Sequence, residues 1–166
     1  EVTTILSNTQ VRPLGGTQID APTAADLAEA AKAEAQHADI VLMAAAVADF
    51  RPAEAQTEKR PRTDAWDLRL EPTEDVLAGI AQNRRDGQLI VGFAAEDSED
   101  IARARQKRER KGVDLIVLND ISDPAQGFDS DDNAVVLVGA SDETRVARAP
   151  KPQIAAAILD RVEALV

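Results

Sequence analysis

Apolar positions recur along this chain in two periods, and the switches between them predict its elements. Residues 2–6, Val-Thr-Thr-Ile-Leu, form a β-branched run that reads as a strand. A loop carrying Gly and Pro follows over 8–22. Thr23, with Asp26 three residues on, then makes a capping-box-like start to an alanine-rich helix that ends near Gln36 or His37. Residues 39–43 are a short, nearly continuous apolar run, as expected of a strand covered on both faces, and they empty into a loop of small residues over 44–49. A polar, proline-containing stretch spans 51–64. Trp66, Leu68 and Leu70 then alternate with polar residues as a half-buried strand, and Thr73-Glu74-Asp75 open a helix with acid in its first turn. The alternation repeats with a buried strand over 89–93, a charged helix over 98–111 with basic residues at its end, and a buried strand over 114–118. Residues 135–138 and 144–147 pair as a hairpin in this reading. Ile154, Ile158, Val162 and Leu165 fall at helical spacing in a terminal amphipathic helix over 152–165.

Buried strands alternating with helices predict an α/β fold: a Rossmann-like, doubly wound, mainly parallel sheet with a C-terminal hairpin and helix. Its ligands are expected beyond the carboxyl ends of the strands. The 166 residues suit a single domain. Thirty acidic against nineteen basic residues, a net charge of −11, argue against nucleic acid and against an anionic membrane surface as partners. Without cysteine the chain can build no disulfide and no thiolate metal site, and no apolar run approaches the roughly 18 residues of a membrane span. A cytoplasmic protein is the expectation.

The candidate chemistry lies in the loops. The three phenylalanines, Phe50, Phe93 and Phe128, each sit in a loop or at a strand end, where they either plug the core or line a site. Gly92 with Ala94-Ala95, and the run Ala44 to Ala46, allow close approach of backbone to a ligand. Lys107 and Lys111 are four residues apart on one helix face, so their like charges repel unless an anion sits between them. Such a pair suits a phosphate, or merely complements the helix dipole. Lys59, Arg60 and Arg62 form a second basic cluster, in a loop able to close over a site. Asp129, Asp131 and Asp132 lack the full calcium-loop pattern and read as a solvated turn. His37, the single histidine, reads as structural.

Read together, Ala44-Ala45-Ala46-Val47-Ala48-Asp49-Phe50-Arg51-Pro52, Glu58-Lys59, Val91-Gly92-Phe93-Ala94-Ala95-Glu96, Lys107-Arg108-Glu109-Arg110-Lys111, Leu118-Asn119-Asp120 and Gly127-Phe128-Asp129-Ser130-Asp131-Asp132-Asn133 resemble bacterial phosphopantothenoylcysteine synthetase over nearly the whole chain. The resemblance implies a ligase that joins 4'-phosphopantothenate to cysteine with CTP and Mg²⁺, through an acyl-cytidylate, in coenzyme A biosynthesis. It implies a nucleotide site of Met43, Ala44, Ala45, Asp49, Lys59, Glu74, Asp75, Val76, Leu77, Phe93, Lys107 and Lys111, with Lys59 catalytic and Ala46 beside the acyl group. It assigns no metal ligands. It further implies a homodimer, usually fused to a flavin-dependent decarboxylase. The chain opens at Glu1 directly on a strand, so a fragment is expected, lacking the family's first strand, phosphate-binding turn and first helix. Where the family commonly shows Lys-x-Lys-Lys, this chain has Lys59-Arg60-Pro61-Arg62. An NAD(P)-dependent Rossmann oxidoreductase would need a Gly-x-Gly-x-x-Gly run, which the chain lacks. That enzyme and a non-catalytic assembly or regulatory module are the alternatives.

Overall fold

A computed structural model describes residues 1–9, 11–54, 67–96, 98–121 and 130–166. Glu58, Lys59, Arg60, Pro61, Arg62, Trp66, Gly127, Phe128 and Asp129 therefore lie outside the described residues, as does the side chain of Asp120.

The elements run β1 (Thr3–Leu6), β2 (Thr17–Asp20), α1 (Ala24–Ala35), β3 (Ile40–Met43), β4 (Phe50–Pro52), β5 (Leu70–Pro72), α2 (Val76–Gln82), β6 (Leu89–Glu96), α3 (Ile101–Lys111), β7 (Leu115–Asp120), β8 (Asp132–Val138), β9 (Glu143–Pro150) and α4 (Lys151–Glu163). The central sheet has the order β3-β6-β7-β8-β9. β3, β6 and β7 are parallel, whereas β8 and β9 join antiparallel as the expected hairpin, longer than its apolar stretches suggest and with a register shift near Asn133 and Val135. β1 and β2 form a separate parallel pair, and β4 and β5 an antiparallel ribbon.

Two apolar layers hold the central sheet. On one face Ile90, Ala94, Ile116, Leu118, Val136 and Val138 pack with α1, α2 and α3 through Ala28, Leu77, Ile80 and Ala104. On the other, Leu89, Val91, Leu115, Val117 and Leu137 pack with Ile154, Ile158 and Val162 of α4. The 3.6-residue spacing of those α4 positions is what buries them together. Helices on both faces make the sheet doubly wound, as the strand-helix alternation predicts.

Local chemistry sets several boundaries. α1 starts with a complete capping box: Asp26 N–H donates to Thr23 Oγ1 at 3.1 Å, and Thr23 N–H donates to Asp26 Oδ2 at 3.0 Å. α3 starts later than its charged run, at Ile101, because Asp100 caps it by accepting from Arg103 N–H at 2.9 Å. It ends at Gly112, whose φ of 70° closes the helix in the left-handed region. Two strands fall where a loop is expected. Thr17–Asp20 is drawn into a pair by β1, and Phe50–Pro52 by β5.

The central sheet stops at β3. Among the described residues neither the outer edge of β3 nor the second edge of β1 has a partner strand. Val41 and Met43 pack toward the α1–α3 layer, while Ile40 and Leu42 on the opposite side stand 37% and 43% exposed.

Candidate functional site

The upper end of the sheet, where β3, β6 and β7 finish, gathers most of the candidate residues. Leaving β3 at Met43, the chain forms an exposed loop through Ala44, Ala45, Ala46 and Asp49. Thr73 anchors that loop to the segment entering α2, since its N–H donates to Asp49 O at 2.9 Å and its hydroxyl donates to Ala48 O. The α2 N-terminus is thereby held beside the β3 loop. Asp75 is its cap, accepting from Ala78 N–H at 3.1 Å, so the acid precedes the helix instead of occupying its first turn. Glu74 pairs with Lys32 of α1 and takes no part in the cap.

Gly92 sets how closely α2 meets the sheet. A Cβ on Gly92 would stand 2.6 Å from Leu77 Cδ2 and 3.1 Å from Ile116 Cδ1. The missing side chain therefore lets Val76 and Leu77 pack down onto β6, with the free N–H groups of the helix start above them.

α3 supplies the cations. Lys107 Nζ lies 3.2 Å from Glu96 Oε1 at the end of β6, and Arg103 reaches the other oxygen of Glu96 at 3.4 Å. Lys111 reaches across to Asp75 Oδ2, an ion pair that joins α3 to the α2 cap. Each ammonium thus has a protein carboxylate of its own. The reason is tertiary: β6 and α2 deliver Glu96 and Asp75 to a helix face that the sequence shows only as repelling charges. For Asp75, burial by itself raises the carboxyl pKa. The hydrogen bond from Lys111, the one from Ala78 N–H and the charges of Lys111 and Arg110 outweigh it, and the pKa sits below the ordinary range.

Phe93 is not on the lysine side of the sheet. It packs with Val91 and Val117 toward α4, whereas Met43 faces the α1–α3 layer. Met43, Asp75, Val76, Leu77, Lys107 and Lys111 share one face, and Phe93 reaches that site only through its backbone. Beside Phe93 stands Asn119, paired with Ala95 of β6, whose Oδ1 is buried with no hydrogen-bond partner among the described residues. An orphaned acceptor at a strand's carboxyl end is a site feature that the Leu118-Asn119-Asp120 run does not by itself reveal. Phe50 is 60% exposed on β4, across from Pro72, and does not plug the core. Asp132 pairs with Arg148 at 3.4 Å and His37 is exposed beyond α1.

Among the described residues no three His, Cys, Asp or Glu side chains come together as a metal cage, and no helix is long and apolar enough to cross a membrane.

A family model described as the DNA/pantothenate metabolism flavoprotein C-terminal domain matches residues 1–165. A protein of an unknown prokaryotic organism named cysteine/cysteine sulfinic acid decarboxylase is 35% identical over 170 residues, which cover 100% of this chain and 47% of that protein. The coenzyme A biosynthesis bifunctional protein CoaBC of Escherichia coli K12 is 40% identical over 124 residues, 72% of this chain and 30% of that protein. The chain thus spans less than half the length of these relatives. Among solved structures, the C-terminal domain of a coenzyme A biosynthesis bifunctional protein CoaBC superimposes with a TM-score of 0.79 at 30% identity, over 99% of this chain and 76% of that one.

Proposed function

The chain belongs to the family of DNA/pantothenate metabolism flavoprotein C-terminal domains, and from that membership we propose that it carries the phosphopantothenate–cysteine ligase activity of a coenzyme A biosynthesis protein. The observation that supports this most directly is the placement of Lys107 and Lys111, held by displaceable carboxylates, one of them the Asp75 cap of α2. An anion arriving there finds two ammonium groups able to exchange their carboxylate partners for it.

In this reading a CTP phosphate chain takes the places of Glu96 and Asp75 on the two lysines. A carboxylate oxygen of 4'-phosphopantothenate attacks the α-phosphorus, pyrophosphate leaves, and an acyl-cytidylate forms. The cysteine amine then attacks the acyl carbon, and CMP departs with the bonding electrons. Neither step needs a covalent nucleophile from the protein, only alignment and charge neutralisation. Lys59 is the catalytic lysine by the resemblance of Glu58-Lys59, and Ala46 borders the acyl group from the β3 loop. Mg²⁺ travels on the nucleotide phosphates, an ion that commonly keeps several waters and needs few protein ligands. The described residues form no dedicated cage for it. Cytosine is read by backbone groups of the 43–45 loop and the Gly92–Ala94 strand end. A reaction drawing on CTP fits a cytoplasmic protein.

The two open strand edges, together with exposed Ile40 and Leu42, support a further parallel strand between β1 and β3 and a helix over it, supplied by sequence preceding Glu1 in a longer polypeptide. The solved CoaBC domain, of which this chain covers 76%, is long enough to contain such a unit. A flavin-dependent decarboxylase domain would make up much of the remainder of that polypeptide. Exposed Phe50, Leu68 and Leu70 on and beside the β4–β5 ribbon support a homodimer built through it. Sedimentation of Phe50→Glu tests this contact, and a mass unchanged from a dimeric wild type would remove it.

The decisive experiment measures phosphopantothenoylcysteine formation by the longer polypeptide, varying CTP and ATP separately. Adenine would leave buried backbone groups unpaired at about 1–3 kcal/mol each. Two such losses give CTP about a hundredfold advantage or more in kcat/KM. Equal specificity constants would remove the cytidylate intermediate, and absence of product would remove the ligase.

A further inference from the structure

At the end of the sheet where β6 and β7 begin, opposite the lysine site, lies a cleft of about 370 Å³. Five parts of the chain line it: Leu89 at the start of β6, Asp114 just before β7, Arg108 of α3, Asp142 of the β8–β9 turn, and Arg161 of α4 with Leu165 just beyond it. The cleft is broadly open to solvent.

Each acid of the lining is already matched. Arg161 Nη2 donates to both oxygens of Asp142, at 3.0 and 2.7 Å. Asp114 Oδ2 accepts from Arg84 at 2.7 Å and from Ile90 N–H at 2.8 Å. The turn is shaped around the first pair, because a Cβ on Gly139 would collide with Asp142 Oδ1 and stand 3.2 Å from Arg161 Nη2.

Arg108 is different. Its side chain is only 16% exposed, and its Nη1 donates to Val113 O at 3.3 Å. Among the described residues the one carboxylate within 4.0 Å of it is that of its own helix neighbour, Glu109, beyond hydrogen-bonding distance. Its Nε is buried and has no acceptor among the described residues. A guanidinium carries five N–H donors in a planar fork, and leaving a buried one unmet is costly. In a protein of net charge −11, a half-buried cation with spare donors beside a cleft is a feature in need of an anion.

We propose that this cleft binds a small organic anion, an oxyanion group carried on a short apolar body, with Arg108 as its ligand. Arg108 takes the carboxylate or phosphate oxygens through its fork, Leu89 and Leu165 cover the apolar body, and the Arg161–Asp142 pair forms a fixed polar wall. The site is separate from the nucleotide lysines and independent of the reaction assigned to them.

Calorimetric titration of the full-length protein with sodium isobutyrate, against sodium chloride at matched ionic strength, tests the assignment. The proteins compared are wild type, Arg108→Gln, Ala140→Trp and Lys111→Gln. Ala140 is exposed on the β8–β9 turn, so its indole replacement fills the cleft without touching the core. Wild type and Lys111→Gln are expected to bind one isobutyrate saturably, with affinity about tenfold or more weaker in Arg108→Gln and Ala140→Trp. If Arg108→Gln does not fold, Ala140→Trp decides alone. No saturable binding in wild type overturns the proposal. So does binding that survives in the cleft variants, or binding lost in Lys111→Gln but kept in Ala140→Trp, which would assign the signal to the nucleotide end.

Discussion

Asp75 serves two structures at once, and replacing it by Asn and by Ala separates them. Its Oδ1 caps α2 through Ala78 N–H, and its Oδ2 pairs with Lys111. Asn still caps a helix but cannot neutralise an ammonium, whereas Ala does neither. Losing the cap costs about 1 kcal/mol. The ion pair has a carboxylate side chain 48% exposed, so solvent screening limits it to less than about 1 kcal/mol. Urea unfolding at neutral pH should therefore show Asp75→Asn destabilised by under about 1 kcal/mol and Asp75→Ala by about 1–2 kcal/mol. The pH dependence follows from the lowered pKa of Asp75. A carboxyl with a depressed folded-state pKa contributes stability that is fully present above its unfolded value, about 4, and lost as pH falls through the lower folded value. The gap between wild type and Asp75→Asn should hold steady from neutral pH down to about 5 and shrink below about 4. Other carboxylates are common to both proteins and cancel. The same substitution frees Lys111, so CTP should bind Asp75→Asn up to about fivefold more tightly. Equal destabilisation by Asn and Ala, or a gap that persists unchanged into strong acid, would refute the two-part role.

Gly92→Ala should destabilise the protein by about 1–3 kcal/mol in urea melts, because its Cβ would stand 2.6 Å from Leu77 Cδ2; an unchanged midpoint would mean α2 can lift off the sheet freely. Lys59→Ala, in the longer polypeptide, should lower kcat by an amount equivalent to about 3 kcal/mol while leaving the KM for CTP nearly unchanged. A raised KM with normal kcat would make Lys59 a binding residue only.

The fold was legible where a residue's environment follows from its neighbours in sequence. Ile154, Ile158 and Val162 share a helix face whatever surrounds the helix, and Thr23 with Asp26 makes its own cap. Strand β2 was not legible, because Thr17-Gln18-Ile19-Asp20 holds one apolar residue and becomes a strand only by pairing with β1. Phe50-Arg51-Pro52 was hidden by its proline, which a two-stranded ribbon tolerates and a central strand does not. Within the site, β6 is buried on both faces, so its apolar run carries no period from which to tell that Gly92 faces α2 and Phe93 faces α4. The lysine spacing was readable, but the carboxylates that occupy those lysines come from elsewhere in the chain.

Those carboxylates also explain how α3 stays in place. Of its eleven residues only Ala104 is buried, with Ile101 partly so, and that is too little apolar surface to fix a helix on a sheet. Its position is set by ion pairs along its length: Arg103 and Lys107 to Glu96, Arg105 to Glu143, and Lys111 to Asp75. Each such pair at the surface is worth about 0.2–1 kcal/mol, and what matters is that their partners lie on β6, on β8–β9 and on α2. A helix held in this way is placed accurately yet keeps charges that an incoming anion can claim. Phosphate oxygens that take Lys107 and Lys111 would exchange one set of charge-assisted bonds for another. Most of the ordering of the two side chains is already present in the free protein, so ligand binding need not supply it. Arg105 and Arg108, outside that exchange, keep α3 tied to β9 and to the chain entering β7 while it occurs.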